Sequence, residues 1–230
     1  MGWTILLTCE HASNRIPPQF RSLFQHDKPI LESHRGWDPG AYKVCTEMAR
    51  RLGLQASCGE WSRLVIDLNR SESNPHLFSR WSNTLSPEEK EGLIRFVHRP
   101  FRQQVANQVQ QHLAAGKTVL HLSIHSFTPV LDGDVRNNDV GLLYDPHRVA
   151  ERQLAVQWER NLKETPIRVR RNYPYRGISD GHVTELRRKY QQRYLGFEIE
   201  MNQAYLEKHP ARSIVNLLLD TLPPPTLRVP

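Results

Sequence analysis

Trp3-Thr4-Ile5-Leu6-Leu7-Thr8-Cys9-Glu10-His11-Ala12-Ser13-Asn14 is the stretch whose reading decides the fold. A short run rich in leucine and β-branched residues stops abruptly in Cys9-Glu10-His11. At about six residues, the run suits a buried strand better than a helix. Side chains at the carboxyl end of such a strand face the crevice where open α/β sheets bind ligands. The stretch therefore predicts a strand and puts His11 where chemistry is usually placed. Taken alone, a strand-end histidine more often merely caps a loop. Other segments with the same pattern change that balance.

Moving outward, the pattern of apolar run then polar cluster recurs. Residues 64–68, Leu-Val-Ile-Asp-Leu, predict a strand leading into Asn69-Arg70. Residues 118–124 predict one ending in His125-Ser126, and residues 140–144 one ending in Asp145-Pro146. Residues 196–201 predict another, with Phe197, Ile199 and Met201 alternating against Glu198 and Glu200. Residues 54–57 and 167–170 read as shorter strands. Helix signals fall between them. Asp38-Pro39 opens one helix, Ala41, Val44, Cys45, Met48, Ala49 and Leu52 give it an apolar stripe, and Gly53 ends it. Ser86 with Glu89 has capping-box form and opens a helix to about residue 98. Pro100 kinks or restarts it, and a second helix continues to about residue 115. Further helices are expected over residues 148–163, 183–194 and 211–222, the last stopped by Pro223-Pro224-Pro225. Residues 14–28 and 71–86 read as loops.

The chain has 230 residues, 38% hydrophobic and 24% charged, enough for a soluble domain with a substantial core. Strands alternating with helices, without repeats or linkers, predict one α/β domain over residues 1–230 with a mainly parallel sheet. The formal net charge of +7 suits an acidic partner. The arginines are scattered, however, and many lie beside glutamates on predicted helices. Their densest group is Arg168, Arg170, Arg171 and Arg176, and nucleic acid is not the expected partner. Cys9, Cys45 and Cys58 form no zinc-type pair and no disulfide framework, which points to a reducing cytosol. The first apolar run is too short for the core of a signal peptide and lacks a basic flank. No stretch reaches membrane-spanning length, so a cytoplasmic protein is expected.

Four predicted strand ends carry groups suited to one site: Glu10-His11, Asn69-Arg70, His125-Ser126, and Glu198 with Glu200. Two neutral imidazoles and a carboxylate, with a fourth position open, describe a catalytic zinc site. A further carboxylate can serve as base toward water. An Asn-Arg pair can hold a carboxylate bidentately. Each group also has a plain reading, either histidine as a satisfied structural residue and residues 67–70 as a surface ion-pair cluster. The conjunction is harder to dismiss, because polar groups buried at adjacent strand ends are costly without a use. Glu198 and Glu200 share one face of their strand, so periodicity does not choose between them.

Several of these segments carry a family resemblance. They are residues 9–14 with Ile16-Pro17, residues 62–70 (Ser-Arg-Leu-Val-Ile-Asp-Leu-Asn-Arg), His125-Ser126-Phe127-Thr128-Pro129, Asn172-Tyr173-Pro174-Tyr175 and Glu200-Met201-Asn202-Gln203. Together they resemble the N-formylglutamate amidohydrolase family over residues 4–205. That family is similar in fold to zinc carboxypeptidases and aspartoacylases. The resemblance implies a three-layer, phosphorylase/hydrolase-like fold, with a mixed sheet of about eight strands between helices, within the usual range for one sheet. It implies one zinc ion per chain, with His11 and His125 as ligands. It also implies Asn69 and Arg70 on a substrate carboxylate and Glu200, rather than Glu198, as general base.

The relatives place their ligand glutamate three residues after the first histidine, and here that position is Asn14. The third ligand then falls to Asp38, just after His34-Arg35-Gly36-Trp37, or to Glu10, with His34 a further candidate. Asp38 is favoured, because Glu10 directly precedes His11 and in an extended chain points to the opposite face. The plain reading of Asp38 is a helix N-cap.

The expected protein is a zinc-dependent amidohydrolase, N-formylglutamate deformylase-like, acting on a small anionic N-acyl amino acid. Arg63, Arg70 and Arg136 would neutralise substrate carboxylates and the developing oxyanion, with Ser126 also at the substrate site. One alternative is a zinc hydrolase of the same scaffold acting on another N-acyl amino acid or a small peptide. Another is a non-catalytic binding protein.

Overall fold

The N-terminal run forms strand β1 (Trp3–Cys9), and it lies inside a sheet rather than at its edge. The computed structural model describes residues 3–224, so Pro225 lies outside the described residues. The remaining strands are β2 (Ala56–Cys58), β3 (Thr118–Phe127), β4 (Val130–Leu131), β5 (Asp134–Val135), β6 (Val140–Leu143), β7 (Val169–Arg171) and β8 (Tyr194–Asn202). Six of them make the central sheet, in the order β2-β1-β3-β8-β6-β7. β1, β2, β3 and β8 run parallel, while β6 pairs antiparallel with β8 and parallel with β7. The sheet is therefore mixed, with six strands instead of the eight implied. The other two, β4 and β5, form a separate antiparallel hairpin.

The helices are α1 (Lys28–Glu32), α2 (Ala41–Leu52), α3 (Pro87–Leu93), α4 (Arg99–Ala114), α5 (Val149–Lys163), α6 (His182–Lys189), α7 (Gln203–Lys208) and α8 (Ala211–Thr221). The stripe of α2 is buried as its spacing predicts, and Gly53 ends the helix at φ 65°, a left-handed conformation that glycine adopts without strain. The capping box of Ser86 and Glu89 opens α3. Between α3 and α4 the chain winds through a π turn, Ile94–His98. That wider turn lies where the Pro100 ring would otherwise meet the carbonyl four residues earlier.

Both faces of the sheet are covered. Leu7 and Cys9 of β1, Leu120, Leu122 and Ile124 of β3, and Phe197, Ile199 and Met201 of β8 pack against α2, α5 and α8. On the other face, Leu6, Val119 and Tyr194 meet Val105, Ala106 and Val109 of α4 and Leu186 of α6. Beyond those residues the second face turns polar while staying buried. Thr8 pairs with Ser123 and Ser123 with Glu198; His125 pairs with Glu200. Strict register on three adjacent parallel strands thus lays polar side chains in rows toward the carboxyl ends.

Several expectations are corrected. Residues 64–68 are not a strand. Leu64, Val65 and Ile66 instead pack with Ile16, Phe20, Phe24 and Leu77 in a cluster of their own. Their backbone is satisfied by turns, such as Val65 N–H to Ser62 and Asp67 N–H to Leu77. An apolar run of that length fits either setting, and the tertiary partners decide. The loop expected over residues 14–28 contains a 3-10 helix, Pro18–Phe24, and the start of α1. α6 stops at Lys189, short of residue 194, and α7 was not foreseen. Cys9, Cys45 and Cys58 are free thiols. Among the described residues no helix is long and apolar enough to cross a membrane.

Candidate metal and substrate site

Because β3 runs on to Phe127, His125 lies within the strand rather than beyond it. β1 ends at Cys9, and the chain turns at Glu10 and His11. That turn folds the His11 ring over the carboxyl ends of β1 and β3, with ring centroids of His11 and His125 5.1 Å apart. The loop ahead of α2 is tied down by its backbone, since Asp38 N–H donates to the His11 carbonyl. Asp38 therefore does not cap α2, whose N-cap position is Gly40. Its carboxylate sits between the two rings instead. Asp38 Oδ2 is 2.9 Å from His125 Nδ1 and 3.4 Å from His11 Nδ1, and it accepts the Ser126 N–H.

These three buried side chains offer donor atoms all within 4.8 Å of one another, and they are the group of this kind found among the described residues. The other ring nitrogens are already engaged. His11 Nε2 lies 2.7 Å from Asp67 Oδ1, and His125 Nε2 lies 2.9 Å from Ser123 Oγ. With Nε2–H of each ring committed there, Nδ1 is the nitrogen that faces Asp38, and Nδ1–H of His125 donates to Oδ2. His11 Nδ1 is buried with no hydrogen-bond partner. A bare, buried ring nitrogen facing a carboxylate and a second imidazole fits a divalent cation such as zinc. Charge agrees. Burial opposes protonation of His125, but Asp38 and Glu10 outweigh it and hold its pKa well above the ordinary imidazole value. Burial likewise opposes ionisation of Asp38, and the adjacent rings hold its carboxyl below the ordinary range. The cluster thus favours positive charge at its centre.

Glu10 and His34 take other positions. Glu10 does not point away; it runs under His125, with Oε2 3.4 Å from Nε2, the nitrogen opposite the Asp38 side. His34 lines the same cleft without joining the three-residue group.

The cleft above this group has a volume of about 500 Å³. Its walls include Arg63, Asn69, Arg70, Ser126, Glu198 and Glu200. Glu200 sits beside His125 through strand pairing, and its buried Oε2 has no partner. Burial, with Asp38 and Glu198 nearby, pushes its carboxyl up to about 8. Glu198 is committed elsewhere, accepting from Asn69 Nδ2 at 2.9 Å. Asn69 Oδ1 accepts the His182 N–H, so the amide is pinned at both ends. Arg70 spends one donor on the Asp180 carbonyl. Asp67 pairs with Arg63 at 2.8 Å, and Arg63 also stands 3.7 Å from Asp38.

Two expected substrate groups stand differently from the rest. Ser126 lines the cleft, but its hydroxyl donates to the Pro39 carbonyl. Arg136 is buried behind the cleft and donates to the Tyr175 hydroxyl, which lines it. The basic group near residue 170 is dispersed: Arg168 pairs with Asp139, Arg171 with Glu159, and Arg170 stacks on Tyr173. Arg176 alone of the four reaches the cleft, which Arg35 also lines.

Sequence reasoning missed Asp67, Ser123 and His182 as parts of the site. Asp67 lay in a segment read as a strand or a surface cluster. His182 lies at a loop-helix boundary, where no periodicity marks it.

Comparison with known proteins agrees with this picture. The model of the family described as N-formylglutamate amidohydrolase matches residues 3–206. Among curated proteins, none matches the chain. Gene product Atu2144 from Agrobacterium tumefaciens has a solved structure similar to this one. The TM-score is 0.82 and the identity 28%, covering 95% of this chain and 90% of that one. The structure of N-formylglutamate amidohydrolase from Ralstonia eutropha JMP134 shares the fold, with TM-score 0.65 and 17% identity, over 96% of this chain and 92% of that one.

Proposed function

The chain belongs to the N-formylglutamate amidohydrolase family, and from that premise we propose a metal-dependent amidohydrolase that cleaves the amide of an N-formyl acidic amino acid. The observation that carries this reading is the convergence of His11, His125 and Asp38, one donor atom each within 4.8 Å, in a cleft that Glu200 also lines. These three residues would hold one divalent cation, zinc by the nature of the donors. When bound, such an ion supplies Lewis acidity, polarising the amide carbonyl and activating water.

The other roles belong to the chain. Glu200 takes a proton from the attacking water and returns it to the leaving amine. Burial raises the proton affinity of this carboxyl, which lets it carry the proton between the two steps. Arg63, partly exposed at the cleft, offers donors to the oxyanion that develops on the carbonyl. Asn69 and Arg70 receive the α-carboxylate. Arg136 orients Tyr175 against the substrate, and Ser126 holds the Pro39 backbone beside Asp38. Arg35 and Arg176 line the cleft without an ion-pair partner among the described residues, which suits a second substrate carboxylate.

The test combines metal analysis with a substrate panel. Purified protein loaded with zinc and dialysed should retain about one ion per chain, as a three-ligand site does. It should hydrolyse N-formylglutamate faster than N-acetylaspartate or short peptides. Protein that retains no zinc sinks the metal-dependent reading. Zinc retention with faster turnover of peptides or of N-acetylaspartate moves the substrate class.

A further inference from the structure

We propose that Glu10, Ser123 and His182 form a support chain that fixes the His125 ring for metal binding; this rests on the metal-site reading above. Glu10 is buried, and three side chains donate to it. Its Oε2 accepts from Ser123 Oγ at 2.6 Å. Its Oε1 accepts from Thr8 Oγ at 2.9 Å and from His182 Nδ1 at 3.2 Å.

The direction of each bond follows from chemistry. An ionised carboxylate only accepts, so the Ser123 proton goes to Glu10. The Ser123 oxygen is then left to accept Nε2–H of His125, at 2.9 Å. That commits Nε2–H of His125 to Ser123 and leaves Nδ1, whose proton Asp38 accepts at 2.9 Å, as the nitrogen a cation would take on losing that proton. The same logic runs one residue deeper. Thr8 donates to Glu10 and so accepts Nε2–H of His121 at 2.9 Å, and His121 Nδ1 accepts from the Tyr194 hydroxyl at 2.6 Å. The whole buried array points its protons at Glu10.

His182 is the donor that comes from outside the sheet. It opens α6, and its backbone N–H donates to Asn69 Oδ1 at 2.8 Å. One residue thus ties the carboxylate beneath His125 to the amide on the substrate wall. Burying a carboxylate is costly unless it is fully hydrogen-bonded. Two strands and a helix supply those bonds here, on the side of His125 away from Asp38. His11 has the equivalent support from Asp67 alone. Partners of this kind orient ligand rings and raise their basicity. Glu10, Ser123 and His182 are positioning residues, acting on the metal only through His125.

Zinc affinity by competition with a chromophoric chelator tests the chain, with circular dichroism to verify the fold. Glu10→Gln and Ser123→Ala should each weaken zinc binding by about 10–100-fold. His182→Leu should weaken it by about tenfold, while His182→Asn, whose amide N–H takes the place of Nδ1–H, should stay near the wild type. If Glu10→Gln does not fold, Ser123→Ala, which removes one hydroxyl, carries the test. Wild-type affinity in both Ser123→Ala and His182→Leu overturns the support chain alone, and equal losses in His182→Leu and His182→Asn overturn the part given to His182. Wild-type protein that takes up no zinc overturns the metal-site reading beneath it.

Discussion

Asp67 Oδ1 stands 2.7 Å from His11 Nε2, and this contact decides which nitrogen of the His11 ring faces His125 and Asp38. The second oxygen of Asp67 pairs with Arg63 at 2.8 Å, so one carboxylate serves both a ligand ring and a cleft guanidinium. Asp67→Asn can present its amide N–H to Nε2 and so favour the wrong tautomer. Zinc affinity should fall by about 10–100-fold, the usual cost of losing such a partner. The melting temperature should also fall, because Arg63 loses its ion pair. Zinc titration and calorimetry read the two effects separately, and an unchanged affinity refutes the tautomer argument.

Glu200 and Glu198 differ by their partners. Glu200 is buried with a bare Oε2, and Glu198 holds the Asn69 amide. Glu200→Gln keeps the shape but cannot take a proton. Its kcat should drop by roughly two to four orders of magnitude with zinc retained. Glu198→Gln keeps an oxygen for Asn69 and should cost much less, whereas Glu198→Ala frees the amide and should raise KM. The reverse ranking in zinc-replete variants transfers the base to Glu198.

How far the residues themselves forecast this site varies from one to the next. β1, β3 and β8 were legible because their apolar runs are the right length and end in polar clusters. The register between them was not, and it is register that puts Ser123 beside Glu198 and His125 beside Glu200. Glu10 was placed on the wrong side, because that inference assumed an extended chain where the backbone turns after Cys9. The turn brings both residues to the same site from different directions. A close backbone approach helps hold it: a Cβ on Gly59 would lie 2.1 Å from the Glu10 carbonyl oxygen. Residues 64–68 misled for a different reason. Their apolar side chains serve a separate cluster, and no local pattern distinguishes that from a strand.

Arg70 offers the cleft a planar fork with only one donor spent, on the Asp180 carbonyl. Lysine cannot reproduce bidentate binding. Arg70→Lys should lower kcat/KM for N-formylglutamate by about tenfold or more, the cost of a charged hydrogen-bonded contact. Zinc content should be unchanged. If Arg70 serves only to clamp Asp180, the variant should melt earlier and lose activity only with its folded fraction. Steady-state kinetics beside thermal melts separate these outcomes.

His121 gives the fold an acid-sensitive element that can be read without substrate. Its ring is fully buried, between Thr8 Oγ and the Tyr194 hydroxyl, and burial pushes its pKa down to about 3. An unfolded histidine titrates near 6.5, so between about pH 6.5 and pH 3 the unfolded chain binds the extra proton. Stability from this group is complete above pH 6.5 and is lost as the pH falls through that window. The loss approaches about 1.4 kcal/mol per pH unit in its steep part. Carboxylates contribute their own acid dependence, so the comparison must be with a variant. His121→Gln retains a polar side chain between Thr8 and Tyr194 but binds no proton. Urea melts at pH 7, 6, 5 and 4 should show the variant less stable than the wild type at pH 7, with a shallower decline below pH 6. Parallel slopes for the two proteins would mean that His121 is protonated in the folded state, with Nδ1–H donating to the Tyr194 hydroxyl instead of accepting from it.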